Sequence, residues 1–123
     1  MFGCKLGKVV TIIKLASGKT AIHSTADFSK TDIEGIFDLG EPETLLEASN
    51  FHNTSAKAGR DALPNIPYFV PSGFPNHKKL EAAGIDELNS EGELKIIGIK
   101  GMPKLNEFSL FHESSKTLIL ADL

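Results

Sequence analysis

The sequence predicts an α/β (α+β) domain in which helices pack on one face of a β-sheet. Three observations lead to this fold class. The chain has 123 residues, 41% hydrophobic and 24% charged, which suits one folded domain with one core. An opening hairpin is followed by alternating elements in the order β-β-α-β-α-β-α-β-β-β, a pattern that favours a sheet with helices on one face. The longest apolar runs are strand-sized, well short of the roughly 18–20 residues that a membrane helix needs.

The first elements predicted along the chain are a β-hairpin and a helix. Residues 9–15 are β-branched and apolar, and residues 20–24 return as the partner strand after a turn. Ser29 is a typical helix cap, and Asp32 suits the positive end of the helix dipole. Gly40 then ends the helix, because glycine is common just past the last turn.

The middle of the chain predicts a strand, a polar loop, a helix and another strand. Residues 44–49 form the strand, and residues 50–55 form the loop that leads into the helix. Thr54 or Ser55 caps this helix, which Pro64 ends. Residues 68–70 lie between two prolines and are predicted as the next strand.

The last third of the chain predicts a helix at 75–83, a strand at 94–99, a linker at 98–106 and a final hairpin. The second strand of that hairpin, 117–121, is a continuous apolar run, which is typical of a strand buried on both faces. Asp122 follows it directly, one residue before the chain stops.

Composition and charge indicate the cellular compartment of the protein and exclude some classes of partner. The net charge is −3 without a basic stripe carrying interleaved aromatics, which argues against nucleic acid as a partner. Cys4 is the only cysteine, so no intrachain disulfide forms and a reducing compartment is expected. The first residues lack the apolar core of a secretory signal. We therefore expect a cytoplasmic protein with no membrane partner.

The loop at 50–55 holds the best candidate binding residues. His52 lies between a strand and a helix, where open α/β sheets place ligand sites, although an exposed or capping histidine is the competing interpretation. Four polar residues surround it: Asn50, Asn53, Thr54 and Ser55. Their side chains, with the N–H groups of a helix start, suit an anionic small molecule such as a carboxylate or a phosphate.

Other acidic and histidine residues give weaker signals. Asp122 follows an apolar strand, and an unpaired buried carboxylate is expensive, so it is either a functional residue or the cap of a turn. His112 and Glu113 are predicted to be solvated residues at the tip of the last hairpin. His23 is expected to face solvent or to satisfy a carbonyl, and His77 to lie on the surface.

The chain resembles the metallo-β-lactamase superfamily, and more narrowly a small subfamily with degenerate metal motifs. The resemblance covers nearly all of the chain and rests on four stretches: Ile22-His-Ser24, Ala48-Ser-Asn-Phe-His52, Tyr68-Phe-Val-Pro71 and residues 111–122. It implies an αββα sandwich, of which this chain supplies about the first half plus a hairpin of the second. It therefore also implies that residues 1–123 are one incomplete domain.

The resemblance assigns a metal motif that is largely substituted here. The positions of the family's H-x-H-x-D-H motif fall on Asn50, His52, Thr54 and Ser55. Only His52 is retained as a ligand, a later family histidine falls near Met102, and the family's bridging aspartate matches Asp122. A catalytic zinc site has about three protein ligands. The resemblance therefore implies no metal, or a weakly bound Zn, Mn or Fe held by His52 and Asp122.

Two classes of function follow from these observations. The first is a metal-dependent hydrolase scaffold with a degraded metal site. The alternative is a non-catalytic domain on the same fold that binds a small anion or a protein. Half of a sandwich leaves one apolar sheet face exposed, and such faces mark interfaces, so we expect a homo-oligomer that covers this face.

Overall fold

The structure is a computed structural model that describes residues 9–50, 53–88, 93–99 and 107–120. The strands of the first sheet are β1 (Thr11–Lys14), β2 (Thr20–His23), β3 (Pro42–Leu46), β4 (Tyr68–Val70) and β5 (Ala83–Gly84). The strands of the second sheet are β6 (Leu94–Gly98), β7 (Phe108–His112) and β8 (Thr117–Ile119). The α-helices are α1 (Lys30–Leu39) and α2 (Ala56–Ala62), and a 3-10 turn spans Ile85–Glu87. This mixture of helices and sheets confirms the α+β class. No helix in the described ranges has the length and apolar character needed to cross a membrane.

The first sheet has the order β1-β2-β3-β4-β5. Strands β1 and β2 are antiparallel, whereas β2, β3, β4 and β5 are parallel to their neighbours. The carboxyl ends of four parallel strands therefore meet at one edge of the sheet. The second sheet is antiparallel, in the order β6-β7-β8.

The two faces of the first sheet contact different layers. Neighbouring strand residues point to opposite faces, so Leu45 packs under the helices and Leu46 packs against the second sheet. The core on the helix side includes Ile22, Ile36, Leu45, Leu63, Tyr68 and Phe74. The core between the sheets includes Ile13, Ala21, Leu46, Ala48, Leu110 and Ile119. The layer order is therefore helices, first sheet, second sheet.

The predicted N-terminus of α1 is confirmed as a capping box. The Ser29 Oγ atom accepts a hydrogen bond of 3.0 Å from the Asp32 amide, and Asp32 Oδ2 accepts one of 2.9 Å from the Ser29 amide. Gly40 follows the helix where the chain crosses the hairpin turn, and a Cβ there would clash with the Gly18 carbonyl. Glycine at this position therefore permits the close approach.

The helix predicted at 75–83 is wrong. Residues 75–81 form a series of turns, and Asn76 and Glu81 have φ angles of +59° and +55°. An α-helix requires negative φ at every residue, so these two residues interrupt it. Ala83 then pairs with Phe69 of β4 as the start of a short parallel strand.

The strands near the two predicted sites are shorter than expected. Strand β3 ends at Leu46 rather than at residue 49, and β8 ends at Ile119. Leu118 and Leu120 are 54% and 43% exposed, so the prediction that this run is buried on both faces is wrong. Within the described ranges, β8 is an edge strand with one face packed on the first sheet and an open outer face.

Candidate functional site

Polar side chains are buried at the edge where the parallel strands β2 and β3 end. They are His23, Ser24, Thr25, Glu47, Ser49 and Asn50. Burying polar groups costs free energy unless they are hydrogen-bonded. Apolar residues would pack here at lower cost, so a cluster of buried polar residues at this edge is a candidate functional site. The carboxyl edge of parallel strands is also where open α/β sheets bind ligands.

Glu47 lies at the centre of this edge and is fully buried. Its Oε2 atom accepts hydrogen bonds from the Thr25 hydroxyl and, at 3.1 Å, from the Tyr68 hydroxyl. Burial, together with the negative charge of Glu47, raises the pKa of Tyr68 far above its usual value. Tyr68 therefore stays protonated and serves as a hydrogen-bond donor. Sequence analysis missed Glu47, although an acid within an apolar run is a signal.

Glu107 is a second buried acid near the same edge. The Phe108 amide donates a hydrogen bond of 2.7 Å to the Ala48 carbonyl, which brings Glu107 beside the chain leaving β3. Glu107 is 1% exposed, and neither carboxylate oxygen has a hydrogen-bond partner within the described ranges. A buried carboxylate without a donor is costly, which makes Glu107 a candidate contact for a cationic or hydrogen-bonding ligand.

The four predicted ligand-binding residues divide into two groups. Asn50 and Ser55 are buried and belong to the packing of the loop, where the Asn50 amide group donates to the Ser72 carbonyl at 2.9 Å. Asn53 and Thr54 are exposed, and the Asn53 amide group donates to the Asn50 carbonyl at 2.8 Å. Ser55 occupies the cap position of α2 without a side-chain cap hydrogen bond.

Asn53 and Thr54 line a cavity of about 410 Å³ beside α2, called here the α2 cavity. Its ionisable lining residues are Lys57, Arg60, Asp61 and Lys79. Lys57 is paired with Asp61 at 2.8 Å, whereas Lys79 has no ion-pair partner in the part of the chain that the structure describes. Three cations against one acid give the α2 cavity a positive charge.

Arg60 is held in place by backbone carbonyls. Its Nε atom donates to the Leu80 carbonyl at 2.8 Å, and Nη1 donates to the carbonyls of Leu63, at 3.3 Å, and Ile66. The guanidinium also lies 5.8 Å from the centre of the Tyr68 ring. Arg60 therefore contributes a fixed positive charge to the α2 cavity, and sequence analysis missed it because the Leu80 carbonyl lies 20 residues away.

The predicted metal ligands His52 and Asp122 lie outside the described residues, as does Met102. Among the residues that are described, no three His, Cys, Asp or Glu side chains converge on one point. The described part of the chain therefore does not itself supply the roughly three ligands of a catalytic zinc site.

Of the other histidines, His112 differs from expectation, because it is only 8% exposed rather than solvated. His23 is buried, which removes the solvent-facing alternative of its prediction and leaves the one in which it satisfies a carbonyl. His112 lies 3.2 Å from Glu93 and 2.7 Å from Ser115. His77 is exposed, with its Nδ1 atom 3.3 Å from the Phe74 carbonyl, in agreement with the predicted surface position.

Comparisons of the chain with protein-family models, with curated proteins and with solved structures found no match. The resemblance to the metallo-β-lactamase superfamily therefore stays a prediction.

Proposed function

We propose that this chain is a metallo-β-lactamase-like domain that binds a small anionic molecule in the α2 cavity. The fold part of the proposal is supported by the layer order of helices, first sheet and second sheet. That order matches the first three layers of an αββα sandwich. The binding part rests on the charge and the position of the cavity.

The positive lining of the α2 cavity is the observation that carries the proposal. Arg60 is fixed by its carbonyl contacts, and Lys79 is free of an ion pair among the described residues. An anion entering the cavity would therefore meet one preorganised cation and one adjustable cation. A fixed cation loses less side-chain freedom when a ligand binds.

The remaining lining residues define the chemical class of the ligand. The Asn53 amide and the Thr54 hydroxyl are neutral hydrogen-bonding groups that line the cavity just before α2 begins. A volume of about 410 Å³ lies near the lower end of the range for small-molecule sites. These properties fit a compact molecule with a phosphate or carboxylate group.

The test compares two neighbouring lysines. Lys79 lines the cavity, whereas Lys78 does not, so Lys79→Gln is the test variant and Lys78→Gln is its matched control. Titration calorimetry with inorganic phosphate and with citrate should give binding that weakens as salt increases. We expect Lys79→Gln to weaken this binding by roughly tenfold or more, as for loss of a charge-assisted hydrogen bond. Undetectable binding, or equal losses in both variants, contradicts the proposal.

Metal-dependent hydrolysis is the second candidate function, and the buried Glu107 carboxylate favours it. A metal ion would satisfy that carboxylate, and His52 and Asp122 are the ligands that the family resemblance assigns. In related chemistry a bound metal supplies hydroxide near neutral pH. The described residues do not complete such a site, so this function depends on residues beyond them.

Elemental analysis separates the two candidates. Protein purified without chelator or added metal should carry near-stoichiometric Zn, Mn or Fe if the hydrolase candidate is correct, and His52→Ala should lose it. Metal-free protein without esterase, thioesterase or phosphodiesterase turnover favours anion binding alone.

A further inference from the structure

Three polar side chains form a continuous hydrogen-bonded chain at the end of the second sheet, away from the α2 cavity. Glu93 precedes β6, His112 ends β7, and Ser115 lies in the turn before β8. The Glu93 Oε2 atom lies 3.2 Å from His112 Nε2, and the Ser115 Oγ atom lies 2.7 Å from His112 Nδ1. An acid, an imidazole and a hydroxyl are therefore linked in series.

The hydrogen bonds fix the state of the imidazole. A carboxylate only accepts hydrogen bonds, so the His112 Nε2 atom that faces Glu93 carries a proton. In the neutral ring, Nδ1 is then a bare acceptor directed at Ser115 Oγ. The Ser115 hydroxyl also donates a hydrogen bond of 2.8 Å to the Thr117 hydroxyl. Rotation about the Cβ–Oγ bond of Ser115 turns the same proton toward His112 Nδ1.

Glu93 is well placed to hold this arrangement. Its Oε1 atom accepts a hydrogen bond of 2.8 Å from the Ala16 amide of the first hairpin. That hydrogen bond above all, together with His112, holds the pKa of the Glu93 carboxyl below its usual value. The carboxylate is therefore ionised at neutral pH and anchored between the two sheets.

The chain of residues opens into a cavity of about 330 Å³ between the first strand and the last hairpin. His112, Ser115 and Thr117 line one side of it, and β1 lines the other. The apolar walls are Ile12, Ile13 and Ile119, and Lys14 brings a positive charge. A nucleophile, a base, an apolar wall and a cation thus surround one space.

We propose that Ser115, His112 and Glu93 form a second, hydrolytic site that acts on small acyl esters. Ser115 Oγ attacks the ester carbonyl as its proton passes to His112 Nδ1, and the alkoxide leaves with that proton. Water then attacks the acyl-serine with His112 as base, which releases the acid and restores the serine hydroxyl. Lys14 lines the same cavity, and its positive charge would stabilise the negative charge that develops on the carbonyl oxygen. This proposal does not depend on anion binding in the α2 cavity.

His112 and Ser115 touch the reacting atoms and are the catalytic residues of this site. Glu93 acts through His112 and is a positioning residue, as the acid is in other acyl-transfer triads. The order of the ring nitrogens is reversed here, since the acid contacts Nε2 and the serine contacts Nδ1. Sequence analysis did not find the site because Glu93 and His112 are 19 residues apart.

Covalent labelling tests the nucleophile. The full chain is incubated with diisopropyl fluorophosphate, and the modified peptide is identified by mass spectrometry. We expect a single adduct on Ser115 that is absent from Ser115→Ala. The matched control is Ser72→Ala, which alters an exposed serine in the loop after β4 and should be labelled as in the unchanged chain. No adduct, or an adduct on another residue, overturns the proposal.

Turnover of p-nitrophenyl acetate tests the other two residues. General-base loss in His112→Gln should lower kcat by roughly a hundredfold or more. Glu93→Gln should lower kcat and leave KM unchanged. Glu93→Asp should recover part of the lost kcat, because it keeps a carboxylate. A merely structural role of Glu93 would not lower kcat alone. Since the buried His112 variant could unfold, its circular dichroism is compared with that of the unchanged chain, and the labelling result stands independently. Equal kcat in Glu93→Gln, Ser115→Ala and the unchanged chain counts against the site.

Discussion

At the level of single residues, the buried carboxylate of Glu47 requires hydrogen-bond donors among the side chains that surround it. Thr25 and Tyr68 both donate to one of its oxygens, and replacing either with an apolar residue would remove one of the two donors to that oxygen. An unsatisfied buried group costs more than the hydrogen bond contributes. Thr25, Glu47 and Tyr68 are therefore coupled in their effect on stability.

Tyr68 should remain protonated well above pH 10 in the folded protein, because burial and the Glu47 charge raise its pKa. The chain has one tyrosine and no tryptophan, so phenolate absorbance in the near ultraviolet reports Tyr68 alone. We expect no phenolate signal until the protein unfolds. A titration near the ordinary tyrosine value, with the fold intact, would contradict the buried contact with Glu47.

Tyr68→Phe removes the hydroxyl donor and keeps the ring. We expect the free energy of unfolding to fall by about 1–3 kcal/mol, since Glu47 loses a buried donor. The native tyrosine keeps its proton while the unfolded tyrosine loses it above about pH 10. The stabilising effect of the raised pKa is thus complete below pH 10 and declines above it. Urea unfolding of both proteins at pH 7 and pH 10.5 should show the Tyr68→Phe deficit shrinking at the higher pH.

Glu107→Met should raise the free energy of unfolding by about 1–3 kcal/mol, because it removes a buried carboxylate that has no hydrogen-bond partner among the described residues. A gain in stability on removing a polar group is typical of residues kept for function. Thermal unfolding measures the change. Destabilisation by Glu107→Met would show that this acid is a structural residue.

At the level of elements, α2 approaches the chain beneath it very closely. A Cβ on Gly59 would lie 2.6 Å from the Thr25 Cβ atom, so glycine sets the distance between α2 and the sheet. Because Thr25 donates to Glu47, displacement of α2 would also disturb the buried edge. The position of α2, the α2 cavity and the Glu47 contacts therefore depend on one another.

Two glycine-to-alanine variants test this packing. Gly59→Ala should destabilise the protein by about 1–3 kcal/mol, as other overpacked cores do. Gly35→Ala is the matched control, since it lies within α1 with nothing within 4 Å of the added Cβ. It should stabilise the protein by about 0.5–1 kcal/mol, the ordinary gain for alanine in a helix. Urea unfolding should show opposite changes in the free energy of unfolding for the two variants. A gain in both would show that the contact between α2 and Thr25 can accommodate a methyl group.

The sequence predicted local structure better than it predicted contacts between distant segments. The predicted Ser29 cap of α1 is confirmed because Ser29 and Asp32 are three residues apart and their hydrogen bonds are local. The false helix at 75–83 has helical composition, but the positive φ angles of Asn76 and Glu81 have no signal in an unaligned sequence. The described residues of the predicted loop at 50–55 lie between β3 and α2 as expected, whereas the cations that line the α2 cavity come from two separate segments of the chain.

At the level of the whole molecule, the outer face of the second sheet is apolar and open among the described residues. Ile97, Leu118 and Leu120 are 48%, 54% and 43% exposed. Lys95 is the charged residue on this face, since it pairs with Phe111, which pairs with Leu118. The corresponding face of the first sheet is covered by helices. Exposed apolar surfaces of this kind are typical of interfaces.

The expected homo-oligomer can be tested on this face. Sedimentation velocity at micromolar concentration should show a dimer, and Leu118→Lys should shift it to monomer, because a charge placed in an apolar interface is costly. Val9→Lys is the control. Val9 is 79% exposed and precedes β1 of the first sheet, so it is not part of the second sheet. A monomer in the unchanged chain contradicts the expectation.

The way the two sheets meet has a consequence for the order in which the molecule opens. Apolar side chains join the sheets, with the Phe108–Ala48 hydrogen bond near the start of β7 and the Ala16–Glu93 hydrogen bond near its end. Elements that are partly exposed open at lower free energy than a fully buried core, and β6 and β8 are partly exposed whereas every residue of β2 is buried. The amide hydrogens of β6, β7 and β8 should therefore exchange with deuterium as one group, ahead of those of β2 and β3.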